Sequence, residues 1–80
     1  MVTVAALQEM FEAIFGEELN VDNLNENSDL KKDIGMNSIS FLYMAMVLEE
    51  KYSIKFNNED FAKISTVKDV IDIVESKVQQ

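Results

Sequence analysis

Apolar residues in the first quarter of the chain recur at the spacing of a helix with one buried face. Over residues 4–19 this stripe consists of Leu7, Phe11, Ile14, Phe15 and Leu19. Their separations follow the 3.6-residue period of an amphipathic α-helix, and Thr3 is a suitable N-cap. Because the stripe continues beyond Gly16, the pattern predicts that this glycine lies inside the helix and that Asn20 ends it.

Residues 20–36 are rich in Asn, Asp and Ser and show no sustained period, which predicts a long loop. We expect its apolar anchors to be Leu24, Leu30 and Ile34. The loop does not match a calcium-binding EF-hand, because Leu24 and Glu26 occupy alternate positions after Asp22 and the glycine at the sixth position is absent. No metal site is predicted.

Residues 38–52 form a second helical pattern, which has more apolar surface than one core contact needs. One stripe consists of Phe41, Met44, Ala45, Leu48 and Tyr52, and a second of Ile39, Leu42 and Met46, with Tyr43 and Val47 between them. A domain of 80 residues has too small a core to bury both stripes. We therefore expect the second face to dock partner proteins, with complete burial of the helix as the alternative.

A short connector and a short helix are predicted next. Ile54 and Phe56 should turn inward from the connector. Asn57 is then suited to cap a helix of one or two turns, with acidic residues in its first turn and with Phe61 and Ile64 packed beneath it.

The last part of the chain predicts another long helix. Thr66 and Asp69 have the spacing of a capping box. The apolar stripe that follows consists of Val67, Val70, Ile71, Val74 and Val78. Its spacing near 3.6 residues favours a helix over a strand, although the residues are β-branched. Asp72 and Glu75 are expected to face solvent.

Together these patterns predict an all-α fold: a small antiparallel four-helix bundle of three long helices and one short helix, with a long loop between helices 1 and 2. The chain contains no internal repeat, proline or low-complexity segment that indicates a boundary. We therefore expect residues 1–80 to form a single domain.

The charge balance is strongly acidic. Seven lysines, no arginine and 15 acidic residues give a net charge of −8, which opposes a nucleic-acid partner and favours partners with basic patches. The longest apolar run, residues 39–48 with the single interruption at Ser40, is about half of the ~20 residues that span a bilayer. The chain also does not begin with a basic segment followed by an apolar one. These features predict an untargeted monomer that does not cross a membrane.

The chain contains no cysteine and no histidine. It therefore has no disulfide, thiolate metal site or cysteine nucleophile, which fits a reducing compartment such as the cytoplasm. The absence of histidine removes the commonest general base, so no serine of this chain has the usual triad partner. We therefore expect no catalytic residue in this chain.

Ser38 is the residue on which we expect function to depend. It follows a turn that contains Gly35, and Asn37 is a good N-cap, so Ser38 falls in the first turn of the second helix. A phosphate attached there would lie beside unpaired N–H groups and the positive end of the helix dipole. Ser38 therefore suits the attachment of a group better than it suits catalysis.

Four stretches of this sequence resemble motifs of the acyl carrier protein family. Residues 15–21, FGEELNV, are similar to the end of the family's first helix, and residues 33–39, DIGMNSI, resemble its D-L-G-x-D-S-L signature. Residues 48–54, LEEKYSI, resemble the L-E-E-x-F-x-I that closes the second helix, and residues 64–67, ISTV, the I-x-T-V before the last. Each motif is short, but the four occur in the family's order and cover nearly the whole chain.

The resemblance implies a carrier function. Ser38 would bear 4′-phosphopantetheine, covalently transferred from coenzyme A by a phosphopantetheinyl transferase, and Asn37 would cap the helix beside it. Acyl groups would be held as thioesters on the arm for fatty-acid, polyketide or related lipid synthesis by enzymes such as ketosynthases and acyltransferases. Family members also shelter acyl chains between helices, and Phe41, one turn after Ser38, is our candidate for shaping such a pocket.

The sequence departs from the family's pattern around the serine. Asn37 stands where an acid is usual, and the first half of the second helix holds no acid. We therefore expect docking to rely on apolar contact more than on charge, and the chain to be a specialised carrier. The docking residues that we predict are Ile39, Leu42, Tyr43, Met46, Glu49 and Glu50.

Two alternatives remain at this stage. The first is a peptidyl or D-alanyl carrier, which Met36 disfavours because peptidyl carriers tend to have a second glycine at that place before the serine. The second is a helical adaptor without a cofactor, in which Ser38 is only a first-turn residue and the apolar face docks a partner helix.

Overall fold

The computed structural model describes residues 2–79 and shows an all-helical fold. Its helices are α1 (Val4–Phe15), α2 (Ser38–Tyr52), α3 (Asn58–Lys63) and α4 (Val67–Val78). None of the residues from 2 to 79 belongs to a β-strand, and Asp29 and Thr66 form only an isolated bridge. The predicted fold class, with three long helices, one short helix and a long first connection, is confirmed.

Each helix begins at the cap that the sequence predicts. The Thr3 side chain accepts a hydrogen bond from the Ala6 N–H at 3.1 Å. The other three helices have reciprocal capping boxes, in which the cap and the third helical residue accept each other's backbone N–H. These pairs are Asn37 with Ser40, Asn57 with Asp60, and Thr66 with Asp69.

The predicted end of the first helix is wrong. α1 stops at Phe15 because Gly16 adopts φ +56° and ψ −128°, a conformation that side chains rarely allow, and a 3₁₀ turn (Gly16–Glu18) follows. This turn still carries Leu19 against the core, which is why the apolar stripe continues past the α-helix. Asn20 instead donates its backbone N–H to the Ile34 carbonyl at 3.0 Å.

All three long helices and the long loop contribute to one core. The largest fully buried side chains are Leu7, Phe11, Leu30, Ile34, Met44, Leu48, Val67, Val70 and Val74. Two of the predicted loop anchors, Leu30 and Ile34, are thus confirmed, and Leu24 is partly buried against the same cluster. Met10, Val21 and Met36 are also buried, although their positions in the sequence pattern did not indicate it.

The long loop is held in place by backbone hydrogen bonds to the connection between α3 and α4. The Leu30 N–H donates to the Ser65 carbonyl at 2.9 Å, and the Val67 N–H donates to the Ser28 carbonyl at 3.0 Å. At the other end of the loop, the Leu24 N–H donates to Gln8 Oε1 of α1 at 3.1 Å. The loop therefore connects α1, α4 and the start of α2 in a fixed arrangement.

The ends of two predicted stripes differ from expectation. Val78 is half exposed because the last turn of α4 extends past the core. Phe41 and Tyr52, near the two ends of α2, are only partly buried. Glu75 does not face freely into solvent, because its carboxylate accepts the N–H of the buried Val2 at 3.3 Å.

Candidate functional site

A turn at Gly35 sets the position at which α2 begins. Gly35 has φ +93°, a conformation that favours glycine. The next residue, Met36, is buried and donates its N–H to the Leu30 carbonyl at 2.9 Å. The turn at Gly35 and the hydrogen bond of Met36 therefore fix the backbone that leads to Asn37. They also set the orientation of the first residue of α2, which points away from the core.

Ser38 occupies the first position of α2 and is exposed to solvent. Its neighbour Ser40 cannot play the same part, because the Ser40 hydroxyl accepts the Asn37 N–H at 2.9 Å and lies 3.1 Å from the Asn37 carbonyl oxygen. No such contact occupies the Ser38 hydroxyl within residues 2–79. The capping box thus engages the Ser40 hydroxyl in hydrogen bonds to the Asn37 backbone and leaves the Ser38 hydroxyl accessible.

The remaining serines lie in other surroundings. Ser28 is buried, and its hydroxyl accepts the Asn25 N–H at 3.0 Å. The Ser65 hydroxyl lies 3.2 Å from a carboxylate oxygen of Asp69, and Ser53 is the left-handed C-cap of α2. Ser76 is exposed on α4, far along the chain from a helix start. Among the serines, Ser38 alone combines an accessible hydroxyl with the first turn of a helix.

The surroundings of Ser38 suit an anion. The N–H groups of Ser38 and Ile39 are among those that a helix start leaves without an intrahelical partner, and the helix dipole is positive at this end. Lys31 of the long loop lines the same surface depression as Ser38. A phosphodiester attached to this hydroxyl would therefore lie beside N–H donors at the positive end of the helix dipole, with a lysine on the same depression.

An apolar groove opens beside Ser38, and we refer to it as the outer groove. It has a volume of about 320 Å³ and is lined by Lys31, Asn37, Ser38, Phe41, Leu42, Phe61 and Ile64. Phe41 thus lies beside Ser38, as the sequence places it. Sequence reasoning missed Lys31, Phe61 and Ile64, because these residues come from segments that only the folded chain brings together.

The second apolar face of α2 remains uncovered in the single chain. Ile39 is 79% exposed, Met46 63% and Leu42 54%. Tyr43 is also exposed, and its ring meets the edge of Phe15 with a centroid separation of 6.2 Å. This surface, which we call the α2 outer face, consists of Ile39, Leu42, Tyr43 and Met46.

The two predicted acidic docking residues lie in different settings. Glu50 is exposed. Glu49 is half buried, and its carboxylate accepts the Phe56 N–H at 2.8 Å, so this side chain also holds the connector after α2 in place.

Within the part of the chain that the structure describes, no cluster of three or more potential ligands among His, Cys, Asp and Glu is arranged for a metal ion. In the same part, each helix is too short or too polar to cross a membrane.

Comparison with known proteins agrees with this geometry. Residues 5–74 match the family described as the phosphopantetheine attachment site. The chain is 36% identical over 72 residues to an acyl carrier protein of Helicobacter pylori, a match that covers 88% of this chain and 92% of that one. It is 37% identical over 62 residues to an acyl carrier protein of Wolinella succinogenes, covering 75% of this chain and 82% of the relative.

These likenesses give the chain an acyl carrier role with covalently attached 4′-phosphopantetheine. Acyl carrier proteins work with a phosphopantetheinyl transferase and with acyl-processing enzymes. The chain therefore belongs to the phosphopantetheine attachment family, among the acyl carrier proteins.

Proposed function

We propose that Ser38 is the residue that carries 4′-phosphopantetheine, and that residues 1–80 form one carrier domain with no catalysis of its own. The observation that carries this proposal is the position of Ser38, whose accessible hydroxyl lies at the first residue of α2 beside an apolar groove. The resemblance of residues 33–39 to the family signature supports the same residue.

The attachment reaction needs only a hydroxyl from this chain. The Ser38 oxygen attacks the phosphorus of coenzyme A that bears the pantetheine, a new P–O bond forms, and the pyrophosphate bond breaks to release the adenosine bisphosphate half. The hydroxyl proton passes to a base of the transferase, since this chain contains no histidine. The first N–H groups of α2 then lie beside the phosphodiester charge, and Lys31 lines the same depression.

Once attached, the arm supplies a thiol that holds acyl groups as thioesters. The chain itself supplies the fixed attachment point and the surface that partner enzymes contact. We infer that this surface is the α2 outer face, extended by Glu49 and Glu50 at the end of the helix. The α2 outer face lies on the same helix as Ser38. An enzyme that binds this face therefore also brings its active site near the arm.

The composition of this surface favours partners of a particular chemistry. Asn37 is neutral, and the first turn of α2 contains no acid. An enzyme that recognises this carrier would therefore offer an apolar depression for the start of α2, with basic residues for Glu49 and Glu50. We infer a carrier dedicated to one pathway, acting as a cytoplasmic monomer that is kept apart from other copies by its charge of −8.

The mass of the intact protein tests the attachment site. Incubation with coenzyme A, magnesium and a broad-specificity phosphopantetheinyl transferase should add one phosphopantetheine to the wild type and none to Ser38→Ala. Ser76→Ala is the matched control, since it removes an exposed serine from α4, and it should load like the wild type. Wild-type protein that stays unmodified with several such transferases would contradict the proposal.

A further inference from the structure

One lysine of the long loop is held next to the segment that leads into α2. The Leu30 carbonyl accepts the Met36 N–H at 2.9 Å, so Lys31 directly follows a residue that is bonded to this segment. The Asp29 carboxylate accepts the Lys31 N–H at 2.9 Å and fixes the turn from the other side. The backbone of Lys31 therefore has a set position relative to Ser38, and both residues line the same depression.

The ammonium group of Lys31 forms no ion pair within residues 2–79. The ion pairs in this part of the chain join Lys68 to Asp72 and Lys77 to Asp60. Lys31 is also exposed to solvent. Its charge is therefore accessible to an anion that is attached after the chain has folded.

The acidic residues of the same turn are engaged by backbone groups. The Asp29 carboxylate accepts N–H groups of the turn, and the Asp33 carboxylate accepts the Asp29 N–H at 2.7 Å. Asn37, which caps α2 and lines the depression, is neutral. Of the described residues that line this depression, Lys31 alone is charged. A positive site thus lies beside Ser38 in a chain whose net charge is −8.

We propose that Lys31 forms an ion pair with the phosphodiester at the base of the attached arm and holds that base on the loop side of α2. This inference rests on the proposed attachment at Ser38. The pairing offsets the repulsion that a further negative charge meets in an acidic chain. The neutral cap contributes to it, because an acid in place of Asn37 would compete for the same ammonium group. Lys31 is thus a positioning residue for the arm.

A double-mutant cycle tests this pairing without the transferase. Ser38→Glu places a negative charge at the attachment point, and Ser38→Gln is its neutral counterpart of similar shape. Each is made in the wild-type, Lys31→Met and Lys32→Met backgrounds. Lys32 is the matched control, because it belongs to the same turn but does not line the depression. The effect of the helix dipole on the glutamate is common to all backgrounds and cancels in the cycle.

The cycle should show a coupling that depends on the charge of Lys31. At low ionic strength, the Tm of Ser38→Glu should exceed that of Ser38→Gln by about 3 °C more in the wild-type background than in Lys31→Met. Lys31→Arg should keep this coupling, and Lys32→Met should leave it nearly unchanged. In about 1 M NaCl the coupling should disappear, because the Debye length falls to about 3 Å.

The loaded protein tests the phosphodiester itself. Addition of phosphopantetheine should shift the NMR signals of the Lys31 ε-methylene group and affect those of Lys32 far less. At low ionic strength, the change in Tm on loading should be about 3 °C more favourable in the wild type than in Lys31→Met. Asn37→Asp should reduce this advantage, since its carboxylate competes for Lys31.

Three results would overturn the proposal. The first is an equal difference between Ser38→Glu and Ser38→Gln with and without Lys31, and the second is a contribution of Lys32 as large as that of Lys31. The third is loading that leaves the Lys31 ε-methylene signals unchanged. The cycle uses no transferase, so its result is separate from that of the loading experiment, whose failure would contradict the attachment at Ser38.

Discussion

Helices α2 and α4 are anchored in the same way but differ in the surface that they leave outside. Both begin with a capping box, and each buries three side chains in the core. These are Met44, Ala45 and Leu48 in α2 and Val67, Val70 and Val74 in α4. On its solvent side α4 carries the ion pair of Lys68 with Asp72 at 3.0 Å, whereas α2 carries the apolar α2 outer face.

The difference separates the side chains that the fold needs from those that remain available for binding. α4 shows that a helix of this bundle is held by three buried side chains with charged residues outside. The apolar side chains on the far side of α2 are therefore not required for anchoring, and exposing them together favours association with other molecules. Val78 of α4 is also exposed, but it is a single apolar residue of the kind common on protein surfaces.

The largest effect on stability should come from shortening a buried side chain of α2. Leu48 is fully buried, and Leu48→Ala should lower the free energy of unfolding by about 2–5 kcal/mol, because it leaves a cavity in the core. Leu42→Ala makes the same change on the exposed side of the same helix and should cost no more than about 0.5 kcal/mol. Urea unfolding followed by circular dichroism measures both, and equal losses would show that the α2 outer face also stabilises the fold.

A smaller effect should come from changing the α2 outer face itself. Met46→Glu should lower the kcat/KM of loading by a phosphopantetheinyl transferase by about tenfold, since it places a charge at the apolar contact. The free energy of unfolding should stay close to that of the wild type. Val78→Glu, which adds the same charge to α4, should load normally. Unchanged loading of Met46→Glu would exclude this face as the contact for that enzyme.

The smallest effect concerns the capping boxes, which differ chemically between the two helices. In α4 the Asp69 carboxylate accepts the N–H groups of Thr66 and Ser65, which holds its pKa below the ordinary value. Its ionised form therefore stabilises the folded state above that ordinary pKa, and this stabilisation is lost as the pH falls through the lowered pKa. In α2 the equivalent residue is Ser40, which carries no titrating charge in this range.

Urea unfolding at a series of pH values distinguishes the two caps. The stability difference between the wild type and Asp69→Asn should shrink as the pH is lowered through the carboxyl range. The cost of Ser40→Ala should stay constant over the same range. A constant difference for Asp69→Asn would mean that this carboxylate does not stabilise the cap through its charge.

Local features of the sequence were sufficient to predict the helices and the position of Ser38 at the start of α2. Caps, apolar periods and the turn at Gly35 depend on neighbouring residues, and the bounds of α2 agree with the structure for this reason. The end of α1 was mispredicted because the 3₁₀ turn after Gly16 keeps Leu19 on the same apolar side as a continuing helix would. The period alone does not distinguish the two conformations.

The groove beside Ser38 could not be predicted in the same way. Its walls combine α2 with Lys31 of the long loop and with Phe61 and Ile64 of the α3 region. Their meeting depends on long-range backbone bonds such as that from the Leu30 N–H to the Ser65 carbonyl. No local pattern encodes these pairings, so only Phe41, which lies one turn from Ser38, was identified from the sequence.

The position of the phosphopantetheine on the loaded protein tests the central claim most directly. Cleavage after lysine releases residues 33–51 as one peptide, in which Ser38 and Ser40 are the only serines. Fragmentation in a mass spectrometer separates the two. The group should be found on Ser38, because the Ser40 hydroxyl is held by the capping box. Its presence on Ser40, or on any residue outside this peptide, would contradict the account.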